Sequence, residues 1–450
     1  MARASTGRSR GVGSRIGWPL KIFVGVLLIL LVLLILNAFA LNNETKSASI
    51  NVEGARLVNT TAGKLQVLDT GDPVRNGVIK APDYAKRGLK PGNFPRSVLA
   101  WQRLMSFSGT PLVLIHGSAG AINWWDDLIP LLKPYHRVIA IDLLGYGGSD
   151  KPDSDYSIET QGNLVAQVLD KLDVNRGVLV GHSLGGSVVT SVAEQAPDLV
   201  SGLVLIDSGP DTSYGGLSGA AKASRTPILG QALWRLAPDS MVRKNLSQAF
   251  APGYDVPDKY VQDVRNMTYP AYSKSSKEIE KYIDSTSLPD RLTEVDKPLL
   301  VIFGEEDQIY DARESLSAYA AVPGVMTHMI PGSGHSPQVE VPTQTAREIN
   351  YFTWVIARTR AIQRAGKSAA ANARKRVAEA KKKAGQKASK RANQKLNQAK
   401  KNAGKKATQA KQKANQKARQ AKQQANQGKQ ALKQALDAQK EAARSKVESP

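Results

Sequence analysis

Residues 177–186 read Gly-Val-Leu-Val-Gly-His-Ser-Leu-Gly-Gly and are the most informative ten residues of the chain. The run that opens them is short and continuously apolar, which is typical of a strand buried on both faces of a sheet. The residues after Gly186, including Val188 and Val192, follow helical spacing. A Gly-x-Ser-x-Gly motif between a strand and a helix is typical of a strained turn that raises the serine hydroxyl above the sheet. The pattern therefore predicts a strand–turn–helix unit with Ser183 at its apex.

Other short apolar runs accompany this one and predict further buried strands. They are Leu112–Ile115, Val138–Asp142, Leu203–Ile206 and Leu299–Phe303. Helical patterns lie between the runs, for example at Tyr156–Leu172, and strands that alternate with helices indicate an α/β fold with a mostly parallel sheet flanked by helices. Leu57–Leu68 predicts an antiparallel hairpin ahead of this sheet. The predicted α/β domain covers residues 50–357.

A serine nucleophile needs a base and an acid that orients the base. The chain has five histidines, and His335 lies in a glycine-rich loop after the last predicted strand, where an imidazole can reach the sheet edge. We expect the acid between Ser183 and His335 in chain order. Asp307, directly after the run that ends at Phe303, is the preferred candidate, and Asp207, after the run that ends at Ile206, is the alternative.

Two backbone N–H groups are expected to stabilise an oxyanion beside this serine. The sequence places them at Leu184, the residue after the nucleophile, and at Ser118, in the loop after the first parallel strand. Trp124 and Trp125 follow that loop and are candidates for lining a substrate pocket, although one of them could belong to the core. The chain has no cysteine, which excludes disulfides, zinc–thiolate sites and thiol catalysis. We expect no metal or organic cofactor.

In chain order, His116-Gly117, Asp142-x-x-Gly-Tyr-Gly-x-Ser149, Gly181-His-Ser-x-Gly-Gly186, Gly304-x-x-Asp307 and Gly332-x-Gly-His335 resemble the motifs of the α/β-hydrolase superfamily. A serine at position 183 resembles the esterase, lipase, peptidase and carbon–carbon hydrolase branches, and differs from the dehalogenase and epoxide hydrolase branches, which use aspartate. The resemblance implies a helical cap at about 211–292. A stretch at about 74–110, rich in proline and glycine, departs from the family pattern.

The N-terminal region predicts a membrane segment. Residues 22–41 are 20 residues without a charge, long enough to cross a bilayer, and residues 1–21 carry five basic and no acidic side chains. Positive charges remain on the cytoplasmic side, so the domain that follows is expected to be extracytoplasmic. An uncleaved signal-anchor is favoured over a cleaved signal because the apolar stretch is long. Cleavage near Ala40 followed by secretion is the alternative.

The net charge of +23 is concentrated in the C-terminal tail. Residues 361–450 contain 26 basic and 4 acidic residues, whereas residues 22–360 contain 31 basic and 35 acidic residues, so a uniformly basic nucleic-acid-binding globule is excluded. The tail is rich in Lys, Ala and Gln, with a near-repeat of 11 residues, and predicts a basic helix or disorder. It resembles histone-H1-like basic tails, which implies binding to an anionic polymer, either an envelope polymer or nucleic acid.

These features together predict a membrane-anchored, lipase-like serine hydrolase that cleaves ester-like substrates, either small molecules or lipids. Two alternatives share the fold, namely an aminopeptidase-type enzyme and a carbon–carbon bond hydrolase. A third belongs to another class: a non-catalytic membrane protein that binds polyanions through its basic tail.

Overall fold

The computed structural model describes residues 17–71, 110–216, 222–399 and 416–431. The insertion expected at 74–110 therefore lies outside the described residues, except for Thr110. The described residues form two compact units, divided between Ile362 and Gln363.

The first unit is built on one eight-stranded sheet with the order β1-β2-β4-β3-β5-β6-β7-β8. Within the set β3 to β8, every pair of neighbouring strands is parallel. Strands β1 and β2 form an antiparallel hairpin, and β2 joins it to this set by pairing with β4 in antiparallel orientation. The strands are β1 (Ala55–Asn59), β2 (Lys64–Asp69), β3 (Leu112–Ile115), β4 (Val138–Ile141), β5 (Gly177–His182), β6 (Val200–Ile206), β7 (Leu299–Gly304) and β8 (Met326–Ile330). The α/β class, the parallel sheet and the hairpin predicted from the apolar runs are confirmed.

Helices cover both faces of this sheet. The α-helices of the described residues, in chain order, are α1 (Trp18–Asn42), α2 (Ile129–Leu132), α3 (Ile158–Lys171), α4 (Leu184–Gln195), α5 (Leu229–Leu236), α6 (Asp239–Leu246), α7 (Asp258–Asn266), α8 (Tyr269–Ser285), α9 (Leu288–Val295), α10 (Ala312–Tyr319), α11 (Pro337–Glu340), α12 (Pro342–Ala399) and α13 (416–431).

The sheet is buried on both faces because its central strands are apolar at every position. In β3, Val113 and Ile115 join a core cluster with residues of α3 and α4, and Leu112 and Leu114 join a second cluster with residues of α12. Successive side chains of a strand point to opposite faces, so one continuous apolar run supplies both clusters. The sheet is therefore a rigid platform for the loops at the carboxyl ends of its strands.

Helices α5 to α9 form the excursion between β6 and β7 that the resemblance implied as a cap. Of these, α8 and α9 pack against α4, while α6 packs against α7. The excursion thus rests on the helix that begins directly after Ser183 and extends over the carboxyl ends of the strands.

Among the described residues, α1 is the helix that is long and apolar enough to cross a membrane. Most of its side chains are exposed, whereas Ala38 and Leu41 near its end are buried. By length and composition it could be a membrane anchor or a signal sequence.

The second unit is helical where it is described. Helix α12 continues into it as far as Ala399, and α13 follows, and the side chains whose exposure is described from 363 onward are all exposed. Ala346, Ile349, Phe352 and Ile356, in the first turns of α12, belong instead to the core of the first unit.

Candidate active site

Ser183 lies at the junction of β5 and α4, on the turn predicted from the sequence. Its φ of 51° is in the left-handed region, a conformation that costs a side-chain-bearing residue about 1–3 kcal/mol. Hydrogen bonds hold the turn: the Ser183 amide donates to Ile206 O at 2.8 Å, and the Ser183 carbonyl accepts from Gly186 N at 2.8 Å and from Ser208 Oγ at 3.0 Å. The strained turn is therefore fixed from both sides.

Close packing around this turn explains one of its glycines. A Cβ atom on Gly185 would lie 2.2 Å from the carbonyl oxygen of Ile115, at the end of the neighbouring strand β3. A residue with a side chain would push α4 away from the sheet and displace Ser183 with it.

His335 and Asp307 are joined by a hydrogen bond. His335 Nδ1 and Asp307 Oδ2 are 2.8 Å apart, and the two side chains are only 3% and 0% exposed. Asp307 Oδ1 accepts from the amides of Ile309 at 2.7 Å and Tyr310 at 3.2 Å. These bonds fix the carboxylate, so it holds the imidazole with Nε2 directed away from the acid. Ser183 and His335 line the same cavity.

Asp207, the alternative acid, lies beside Asp307 and is not bonded to His335. Its Oδ1 accepts from the amide of Gly304 at 2.9 Å, and its carboxyl group also interacts with that of Asp307. Burial, together with the nearby Asp307 carboxylate, raises the pKa of Asp207 well above its usual range. The hydrogen bond between His335 and Asp307 therefore favours Asp307 over Asp207 as the partner of the imidazole.

Asp207, Asp307 and His335 also form a group whose ligand atoms lie within 4.8 Å of one another. Asp307 already accepts three N–H groups, and His335 Nδ1 is one of those donors. These bonds use the atoms that a metal would need, so the group fits an acid–base pair better than a cation site.

Glu340, which the sequence reasoning missed, holds the loop that carries His335. Its carboxylate accepts from the amides of Gly334 at 3.1 Å, Ser336 at 3.1 Å and Ala251 at 2.9 Å. The position of this glutamate in α11, just after the histidine, is the signal that could have indicated it. Through Ala251 the same carboxylate ties the histidine loop to the cap.

Two other histidines near the site have structural partners. Leu143 N donates to His116 Nε2 at 3.1 Å, so the proton lies on Nδ1, which donates to Gly117 O at 2.8 Å. His182 Nε2 donates to the carbonyl of His335 at 2.7 Å. Burial lowers the pKa of both imidazoles, and for His182 the neighbouring His335 adds to the effect. Both rings are therefore neutral supports.

The two expected oxyanion donors belong to two segments that adjoin Ser183, the start of α4 and the turn after β3. Leu184 is the first residue of α4, and the first four amides of a helix have no acceptor inside it. Ser118 lies in the turn after β3 and lines the same cavity as Ser183. A Cβ atom on its neighbour Gly117 would lie 3.0 Å from Ser183 Cβ, so this turn and the serine are in close contact.

The cavity above Ser183 has a volume of about 960 Å³ and is enclosed mainly by the cap. Leu233, Trp234, Met241 and Met267 contribute apolar walls. A cavity of this size accommodates a ligand much larger than a short ester.

Trp124 and Trp125 have different surroundings. Trp124 lines the cavity and stacks on His182, with ring centroids 5.9 Å apart. Trp125 is fully buried in the core cluster that also contains Leu112 and Phe352. Trp125 therefore belongs to the core, which the sequence left open for one of the pair, and does not line the pocket. Successive residues of a 3-10 helix are turned by about 120°, so the two rings have different neighbours.

Asp263, on α7 of the cap, is a second residue that the sequence did not indicate. It accepts from Trp124 Nε1 at 3.1 Å and from Asn123 Nδ2 at 3.1 Å, which joins the cap to the body beside the cavity. Burial raises its pKa to about 7. Nothing in the local sequence distinguishes it from the exposed acids of the cap.

Comparisons with known proteins agree with this architecture. A family described as having the alpha/beta hydrolase fold matches residues 110–342. An uncharacterized protein of Mycobacterium tuberculosis is 32% identical over 255 residues, which cover 53% of this chain and 73% of that protein. The 2-hydroxymuconate semialdehyde hydrolase of Pseudomonas sp. (strain CF600) is 27% identical over 260 residues, which cover 55% of this chain and 88% of that protein.

Solved structures show the same fold. A thermophilic esterase from Thermogutta terrifontis superposes with a TM-score of 0.52 at 22% identity, over 67% of this chain and 99% of that one. The strand order, the serine turn and the family match lead to one conclusion: this chain belongs to the α/β-hydrolase fold family.

Proposed function

We propose that the protein is a membrane-anchored serine hydrolase that cleaves ester-like substrates. The observation that carries the proposal is the juxtaposition of Ser183, strained at the apex of its turn, with a His335–Asp307 pair bonded at 2.8 Å in the same cavity. A serine hydroxyl becomes an effective nucleophile when an oriented base takes its proton.

The chemistry follows from the positions of these groups. Ser183 Oγ attacks the ester carbonyl while His335 Nε2 takes the hydroxyl proton, and the amides of Ser118 and Leu184 donate to the oxyanion. The carbon–oxygen bond then breaks, and His335 returns the proton to the departing alcohol. Water, deprotonated by the same imidazole, attacks the acyl-serine and releases the acid and free Ser183. Asp307 keeps the proton of Nδ1 in place and stabilises the charged imidazolium.

The anchor assignment is part of the proposal. It is supported by the length and apolar composition of α1 and by the five basic residues ahead of it, which favour a cytoplasmic N-terminus. The catalytic domain would then be extracytoplasmic. The basic tail from 361 onward would bind an anionic envelope polymer and keep the enzyme near the cell surface.

A carbon–carbon bond hydrolase is the second candidate function. It is favoured by relatives that are 27% and 26% identical and carry the names 2-hydroxymuconate semialdehyde hydrolase and 2-hydroxy-6-oxo-2,4-heptadienoate hydrolase. The largely apolar walls of the cavity favour an acyl chain over such polar acids.

Turnover by the purified full-length protein tests the proposal and separates the two candidates. We expect hydrolysis of p-nitrophenyl butyrate that disappears in Ser183→Ala and in His335→Ala, with little turnover of 2-hydroxymuconate semialdehyde. Ser187→Ala, a buried serine of α4, is the matched control and should retain the esterase activity. If the protein instead cleaves 2-hydroxymuconate semialdehyde faster than p-nitrophenyl butyrate, it is a carbon–carbon bond hydrolase. Esterase activity that survives Ser183→Ala would contradict the proposed nucleophile.

A further inference from the structure

The end of helix α1 forms part of the cavity that contains Ser183 and His335. Leu41 and Glu44, at and just beyond the end of this helix, line the cavity together with those two residues. A helix that served only as a tether would have no reason to reach the candidate active site.

Specific contacts hold this end of α1 against the cap. Leu41 is only 3% exposed, and α1 packs against α5 and α8. Gln231 Nε2 of α5 donates to Asn42 Oδ1 at 2.8 Å, and the amide of Tyr269 donates to Glu44 Oε2 at 3.4 Å. The position of Leu41 in the cavity wall is therefore supported by polar bonds from the two residues, Asn42 and Glu44, that lie just after it in the chain.

Large apolar side chains are exposed around this junction. Phe39 of α1 is 70% exposed, and Leu229 and Leu236, at the two ends of α5, are 55% and 74% exposed. A soluble surface rarely carries so many apolar side chains together, whereas a helix that lies in a membrane interface does. Because α5 packs against the end of α1, the apolar surface of the cap continues that of the membrane-spanning candidate.

Charged residues of both signs line the cavity. Lys222, Arg235 and Lys244 are exposed at its edge, and long cationic side chains of this kind reach from an apolar surface to the aqueous phase. The acids Glu44 and Asp284 belong to the same lining. Since both signs are present, the edge suits a neutral or zwitterionic headgroup.

We infer that α1 is one wall of the substrate entrance and that the substrate is the acyl ester of a neutral or zwitterionic lipid, which reaches Ser183 directly from the bilayer in which α1 lies. This inference rests on the proposed serine hydrolase function. The apolar chain passes Leu41 and fills the space between α1 and the cap, while the headgroup stays at the charged edge. Each methylene that is transferred into such a cavity increases the affinity about four-fold.

Full-length protein in phosphatidylcholine vesicles provides the test. The ratio of kcat/KM for a fluorogenic dioleoylglycerol analogue to that for p-nitrophenyl butyrate measures bilayer access separately from ester cleavage. We expect Leu41→Trp to lower this ratio at least ten-fold, because the indole obstructs the passage. Leu36→Trp is the matched control, because Leu36 is exposed and lies more than one helical turn before Leu41 in α1. This variant should keep the ratio within two-fold of that of the unsubstituted protein. An unchanged ratio in folded Leu41→Trp would overturn the inference.

The source of the lipid is tested by presenting the dioleoylglycerol analogue in two ways. Hydrolysis should be at least ten-fold faster when the analogue is in the protein's own vesicles than when it is in separate, protein-free vesicles. Equal rates would mean capture from solution and would overturn the inference. Loss of butyrate turnover in Ser183→Ala measures the proposed function independently of both comparisons.

A measurement on the unsubstituted protein avoids any effect of a variant on folding. A fluorophosphonate with a hexadecyl chain that ends in a diazirine is attached to the serine in vesicles and then illuminated. Cross-linking to the peptide that contains Leu41 and Glu44 is the expected result. Cross-links confined to peptides from residues 110–216 would overturn the proposed path. Failure of the fluorophosphonate to attach at all would instead contradict the serine hydrolase assignment.

Discussion

Replacement of Asp307 by asparagine is expected to lower kcat about 10⁴-fold, which corresponds to about 5.4 kcal/mol at 1.36 kcal/mol per factor of ten. The two amides of Ile309 and Tyr310 donate to Oδ1, so an asparagine keeps its oxygen at that position. Its NH₂ group then faces His335 Nδ1, where Oδ2 now lies at 2.8 Å. Two N–H groups cannot face each other, so the imidazole moves its proton to Nε2 and can no longer accept the proton of Ser183.

Asp207→Asn is the matched variant, because this second buried acid is not the hydrogen-bond partner of His335. Burial and the nearby Asp307 carboxylate raise the pKa of Asp207, which favours its protonated form, and an asparagine resembles a protonated carboxyl in shape and can still accept from Gly304 N. We therefore expect its kcat to remain within about ten-fold of the unsubstituted protein, far above that of Asp307→Asn.

The assay is p-nitrophenyl butyrate hydrolysis by purified full-length variants, with the thermal midpoint recorded as a control for folding. A folded Asp307→Asn that retained a tenth of the activity, or a folded Asp207→Asn that lost a thousand-fold, would refute the reasoning. The second outcome would assign the acid role to Asp207.

Further predictions concern the supports of the site and the tail. Glu340→Ala removes the acceptor for the amides of Gly334, Ser336 and Ala251, so we expect a stability loss of about 2–4 kcal/mol in urea denaturation and a kcat about ten-fold lower. Unaltered kcat in this variant would argue against a positioning role. Burial raises the pKa of Asp263 to about 7, so between about pH 4 and pH 7 the folded chain binds more protons at this residue than the unfolded chain does. The contribution of Asp263 to the free energy of unfolding therefore falls as the pH rises through this range. The thermal midpoint should therefore fall less between pH 5 and pH 7.5 in Asp263→Asn than in the unsubstituted protein. An equal fall in both proteins would show that Asp263 does not titrate in this range. Deletion of residues 363–450 should abolish retention on an anionic polymer column at 50 mM salt without changing butyrate turnover, and retention that persists would contradict the role proposed for the tail.

The sheet could be predicted because its signal is local. Runs such as Leu112–Ile115 and Leu299–Phe303 are short and apolar at every position, which is typical of a strand buried on both faces. The serine turn could be predicted for the same reason, since Gly181 to Gly186 form the strand end, the turn and the helix start.

The surroundings of the site could not be predicted in this way, because they depend on contacts distant in sequence. Trp124 and Trp125 are neighbours in the chain, and their opposite surroundings become apparent only when the cap and α12 are placed. Asp263 reaches Trp124 from 139 residues away, and Leu41 belongs to a segment whose composition indicates only a membrane helix. Apolar periodicity carries no information on such contacts.

Labelling of the unsubstituted full-length protein by a fluorophosphonate, followed by mass spectrometry of its peptides, tests the central claim most directly. We predict a single adduct on Ser183, whose formation stops when His335 is replaced by alanine. An adduct on another serine, or the absence of any adduct on a folded protein that hydrolyses esters, would contradict the account.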